Sequence, residues 1–93
     1  MVHAFVNLTI TNPDSLAQYR VKAADALARH NGAVVQASRD LTALEGSAEM
    51  PDLAALLSFP DVASAQAWIK DPDLADVHAL RRGAGKSDII LLG

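Results

Sequence analysis

A chain of 93 residues sets one domain, residues 1–93, as the expectation, and a core small enough that a partner would help to bury it. Apolar residues make up 51% of the chain, much of that alanine, and aromatics only 4%. The absence of cysteine excludes disulfides, zinc–thiolate sites and thiol catalysis, while eight scattered Lys and Arg residues in a chain of net charge −3 argue against nucleic-acid binding, which needs a basic patch.

Val2 to Ile10 alternates with a period of two, which predicts a strand. Val2, Ala4, Val6, Leu8 and Ile10 form a wholly apolar face, and His3, Phe5, Asn7 and Thr9 form a mixed one. Asn12-Pro13-Asp14 then reads as a helix start: a capping side chain, a proline suited to the first turn, and an acid at the positive end of the dipole. Leu16, Tyr19, Ala23, Ala26 or Leu27, and His30 recur at helical spacing, and Gly32 is placed to cap the C-terminus. Ala33 to Ser38 predicts a second strand, with Leu41 to Glu45 as a continuation beyond a bend at Arg39-Asp40. Gly46 to Asp52 is a loop. Leu53 to Phe59 is nearly all apolar, and Pro51 and Pro60 leave it too short for a helix, so it reads as a central strand.

Asp61 caps the next predicted helix, whose stripe is Val62, Ala65, Trp68 and Ile69. Asp71-Pro72 repeats the cap-then-proline signature and opens another helical segment with Leu74, Val77, Leu80 and Arg81 along one side, ended by Gly83 and Gly85. Ser87 to Leu92 is the last strand. No apolar run is long enough for a membrane helix, and the opening Met1-Val2-His3 lacks the basic region of a signal peptide, so a cytoplasmic location is expected.

The order β-α-β-β-α-β is the ferredoxin-like arrangement, an α+β fold with a four-stranded antiparallel sheet and helices on one face. The other face needs a cover, and a second copy of the same sheet supplies one by two-fold symmetry. A homodimer with facing sheets is therefore expected. In that arrangement the mixed face of the first strand looks into the space between the sheets.

The chain resembles a bacterial family, domain of unknown function 1330, within the dimeric α+β barrel superfamily. The residues that carry the likeness are Asn7 with Thr9, Thr11 to Asp14, Tyr19, Asn31-Gly32, Leu44-Glu45-Gly46, Phe59-Pro60, Ala65, Ala67-Trp68, Asp71-Pro72, Leu80-Arg81 and the closing Ile90 to Gly93. The chain departs from the pattern at Ser58, where the family often has Glu, at Ile69 and Leu74 in place of Tyr, and at Asp71 in place of Ser. The resemblance implies the fold and the dimer, and no activity.

Candidate chemistry is sparse. His3, His30 and His78 sit on different predicted elements without the convergent spacing a metal site requires, and no metal or cofactor is expected. His30 suits the last turn of its helix as a cation, and His78 reads as a partly exposed helix residue. His3, Phe5 and Asn7 are the candidate ligand-binding residues between the sheets: a base, an apolar wall and an amide. Glu45 is the best acidic candidate at a cleft edge, and Arg81, beside Arg82, suits a carboxylate. Each also has a plain structural role, as a strand-end, turn or helix-end residue. Trp68 reads as packing and Asp71 as a cap. Gly83 to Ser87 lacks the spacing of a phosphate loop and reads as a turn. The expected function is a homodimer that binds a small hydrophobic metabolite between its sheets. The alternatives are a cofactor-independent monooxygenase or isomerase on such a metabolite, and a purely structural interaction module.

Overall fold

The computed structural model describes residues 1–93. The chain forms β1 (Val2–Ile10), α1 (Pro13–Ala28), β2 (Ala33–Ser38), β3 (Leu53–Phe59), α2 (Val62–Lys70), one 3-10 turn (Pro72–Leu74), α3 (Ala75–Gly83) and β4 (Gly85–Leu92). The four strands make one antiparallel sheet in the order β2-β3-β1-β4, the ferredoxin-like topology. No helix is long and apolar enough to cross a membrane.

The apolar face of β1 lies under the helices. Ala4 and Leu8 are buried there with Leu57 and Phe59 of β3, Leu16, Ala26 and Leu27 of α1, and Ala65 and Trp68 of α2. The alternation that marks β1 as a strand thus also divides its side chains between core and open face. β4 repeats the pattern: Ser87, Ile89 and Leu91 are half-buried, while Lys86, Asp88, Ile90 and Leu92 are exposed. β3 extends beyond Leu53 through Asp52, whose backbone N–H donates to Leu8 O at 3.0 Å and whose carboxylate accepts from Ile10 N–H at 2.8 Å.

The helix starts form as the capping residues predict. Asn12 Oδ1 accepts from Ser15 N–H at 3.2 Å, Asp61 Oδ1 from Ser64 N–H at 2.7 Å, and Asp71 Oδ1 from Asp73 N–H at 2.9 Å. Asp71 does more than cap. Its Oδ2 meets His30 Nε2 at 2.8 Å and Arg29 Nε at 3.1 Å, and so ties the end of α1 to the α2–α3 junction. His30 therefore has a specific carboxylate partner, beyond the general dipole role expected of it.

Four other expectations change. Residues Leu41 to Glu45 do not continue β2: its pairing with β3 ends at Ser38 opposite Ala54, one residue from the start of β3, and Leu44 is 96% exposed. The left-handed residue at the end of α1 is Asn31 (φ 58°), not Gly32. Gly32 is required for space: a Cβ there would lie 2.7 Å from Phe59 Cε1 and 3.2 Å from Leu27 O. The segment after Asp71 begins as a 3-10 turn before α3. β4 starts at Gly85, two residues early, where the chain crosses so close to β1 that a Cβ would fall 1.8 Å from Thr9 O.

Candidate functional site

The sheet register separates the predicted site residues into three places. His3, Phe5 and Asn7 share the open face of β1. His3 stands between Ser58 of β3 and Leu92 of β4, Phe5 between Leu56 and Ile90, and Asn7 between Ala54 and Asp88. Glu45 is exposed in the segment between β2 and β3 and lines neither cavity of this face. Arg81 is on the opposite side of the sheet, under the helices.

The open face has an apolar end and a polar end. At the apolar end Phe5 is 44% exposed, Ile90 59% and Leu92 53%. A shallow depression of about 250 Å³ is walled there by Phe5, Leu41, Leu56 and the β2 residues Gln36 and Ser38. At the polar end Asn7, Thr9, Lys86, Asp88 and Glu49 surround about 140 Å³ with no apolar side chain except the ring of Pro51. Ser58 has a defined consequence here. A glutamate at that position would stand directly opposite His3, whereas serine presents no carboxylate to it across this pair.

The densest polar arrangement lies on the covered face. His78 and Arg81 are 1% and 2% exposed. The expectation of a partly exposed His78 fails because the buried stripe of this segment is Leu74, His78, Arg81 and Ala84. Their spacing of four, three and three is that of one helix face. His78 Nε2 lies 2.8 Å from Trp68 O, and its Nδ1 lies 2.8 Å from Arg81 Nη1. A carbonyl only accepts and a guanidinium only donates, so His78 is the neutral tautomer with the proton on Nε2. It satisfies one of the last carbonyls of α2 and receives the guanidinium. Burial is the main reason its pKa is pushed down, and Arg81 and Arg82 push the same way.

Around this pair the aromatic rings stack. Trp68 meets His78 edge-on at 4.8 Å and Phe59 at 5.5 Å. The Arg81 guanidinium carbon is 5.3 Å from the Trp68 ring centre and 5.6 Å from that of Tyr19. Arg81 has no carboxylate partner: the three ion pairs in the protein all involve Arg29 or His30. Two buried polar side-chain atoms lack any hydrogen-bond partner, Arg81 Nε and Trp68 Nε1, and both belong to this stack. A buried charge without a counter-charge costs several kcal/mol even after relaxation, so this cluster is an expensive feature of the fold.

Arg81 and Tyr19 also line a cavity of about 250 Å³ between α1 and the β3–β2 side of the sheet, floored by Leu8, Leu16, Leu27 and Leu57. The sequence names Arg81 as a group suited to a carboxylate, but nothing in it points to Tyr19 and His78 as its neighbours. No three His, Asp or Glu side chains come together as a metal site would require.

The chain belongs to the family described as domain of unknown function DUF1330, which it matches over residues 1–93. No curated protein matches it. Among solved structures, it is similar to the RPA0582 protein of unknown function from Rhodopseudomonas palustris, with 23% identity and a TM-score of 0.73 over 98% of this chain and 79% of that one. It is also similar to a dimeric ferredoxin-like protein of unknown function from Jannaschia sp. CCS1, with 14% identity and a TM-score of 0.72 over 99% and 97%. A third is SnoaB, a cofactor-independent oxygenase from Streptomyces nogalater, with 18% identity and a TM-score of 0.68 over 99% and 91%. At these identities the likeness establishes the fold.

Proposed function

We propose that the protein is a homodimer that holds a small hydrophobic metabolite between two facing sheets. The observation that carries this reading is the uncovered face, where Phe5, Ile90 and Leu92 are about half exposed side by side on adjacent strands. Apolar surface grouped in this way favours a partner, and the dimeric ferredoxin-like neighbour from Jannaschia supports a second copy as that partner. A facing sheet would roof the depression beside Phe5 and Leu56 and turn it into an enclosed apolar chamber, with Gln36 and Ser38 in its wall and His3 and Asn7 flanking Phe5 on the same face of β1.

Binding is favoured over catalysis by what surrounds His3. A cofactor-independent oxygenation, the activity named for SnoaB, needs titratable groups converging on one ligand atom. His3 instead faces Ser58 and Leu92.

Sedimentation equilibrium and native mass spectrometry of the purified protein test the reading. The expected result is a dimer that carries extra non-covalent mass, and Ile90→Lys, at the centre of the apolar end, is expected to give a folded monomer that has lost that mass. A wild-type monomer at micromolar concentration would overturn the dimer, and a dimer that neither retains nor is thermally stabilised by any apolar metabolite would overturn the binding role.

A further inference from the structure

We infer that the cavity under α1 is a second binding site, for a small carboxylate with an apolar tail, in which Arg81 receives the carboxylate. Three independent features point to it. The cavity is closed at its floor by aliphatic side chains, and its volume of about 250 Å³ lies just below the usual range for drug-sized ligands, which suits a smaller one. The only charged residues on its walls, Arg81 inside and Arg20 exposed at the rim, are both cations, and no carboxylate of the protein lines it. Arg81 is 2% exposed, makes no ion pair, and leaves Nε without an acceptor.

A guanidinium is a planar fork of donors that matches a carboxylate two bonds at a time. Here one arm is committed: Nη1 donates to His78 Nδ1. That bond, with the Tyr19 and Trp68 rings at 5.6 and 5.3 Å, fixes the plane of the group before any ligand arrives. Arg20 at the rim adds a field of the same sign and draws an anion toward the opening. A neutral ligand of the same shape fills the apolar part equally well but leaves the buried cation without a counter-charge. The site therefore discriminates an acid from the matching alcohol. It shares no polar side chain with the sheet-face chamber, so the two readings stand or fall separately.

The test uses octanoate and 1-octanol as probes, titrated into the intact protein. The readouts are calorimetry and the emission of Trp68, the only tryptophan, which lies against the Arg81 guanidinium. Wild-type protein is expected to bind octanoate saturably, at least tenfold more tightly than 1-octanol, with a change in Trp68 emission. Arg81→Met keeps the bulk and removes the charge, and is expected to abolish the preference. Arg20→Gln, at the exposed rim, weakens octanoate two- to threefold, and Arg39→Gln, an exposed cation outside the cavity, leaves it unchanged. Equal affinity for acid and alcohol in the wild type, absence of saturable octanoate binding, or a preference that survives in Arg81→Met would each overturn the proposal. The wild-type comparison decides it even if Arg81→Met fails to fold.

Discussion

Ala4 and Leu8 on β1 are each 2% exposed, while Phe5, between them in sequence, is 44% exposed. Neighbours on one strand thus belong to two environments. The covered face is filled by close packing, with Phe59, Trp68, Leu27 and Leu57 in one cluster, and yet it also contains the buried Arg81–His78 pair. The open face has the looser apolar group and no buried charge. The contrast teaches that the costly polar chemistry lies where the packing is closest, and the exposed apolar group where the surface is flat. A guanidinium held by an imidazole and two rings keeps one geometry; a sheet face needs only area.

The contrast is broken most severely by emptying the covered side. Phe59→Ala removes the ring that touches Trp68 and Gly32 and is expected to cost about 3–5 kcal/mol in urea unfolding, while Phe5→Ala in a monomeric background shifts the midpoint by about 0.5 kcal/mol or less. Equal effects would erase the distinction between the faces. Gly85→Ala comes next, at about 3 kcal/mol, because Thr9 O leaves no room for a methyl group; a neutral result would mean the β1–β4 crossing relaxes freely.

Smaller effects come from titration and sharpen the comparison on the covered face. Since the folded protein holds His78 below its ordinary pKa of 6.5, the unfolded chain takes up more protons beneath that pH. Stability is therefore complete above about pH 6.5 and falls as the pH drops below it. His78→Gln, which can donate to Trp68 O and accept from Arg81, is expected to flatten this slope in urea midpoints measured between pH 7.5 and 5. A smaller loss follows below pH 3.8, where Asp71 protonates. Its carboxyl is held below that value chiefly by the hydrogen bond from His30, then by Asp73 N–H, so its contribution is present above 3.8 and lost as the pH falls further. Midpoints in Asp71→Asn that still fall below pH 3.8 as steeply as wild type would remove Asp71 as the cause.

β1 and β3 were the most legible strands because each obeys one strong rule. The alternation of Val2 to Ile10 and the proline bounds on Leu53 to Phe59 fix their ends to the residue. The start of α1 was legible from Asn12-Pro13 for the same reason, since the cap and the proline act locally. α3 was harder. Spacing places Leu74, Val77, Leu80 and Arg81 along one side, but the buried line is Leu74, His78, Arg81 and Ala84, in which half of the residues are polar. Hydrophobicity alone assigns His78 to partial exposure, and only its spacing of four from Leu74 and three from Arg81 hinted otherwise. The site was less legible still. His3, Phe5 and Asn7 were grouped correctly by parity on one strand, whereas the approach of Arg81 to Tyr19 and Trp68 depends on how three helical segments cross, which no local pattern encodes.

The pairing of β1 with β4 has a consequence for how the chain reaches this fold. His3 lies opposite Leu92, and the ladder runs to Ile10 opposite Gly85. The two strands that meet are thus the first and last of this sheet in sequence, and closing them spans most of the fold. Loop closure of that length is slow relative to local helix formation. Until β4 docks, β1 has β3 on one side only and presents a free hydrogen-bonding edge on the other. Of the two central strands, β1 is the one whose second neighbour is most distant in sequence.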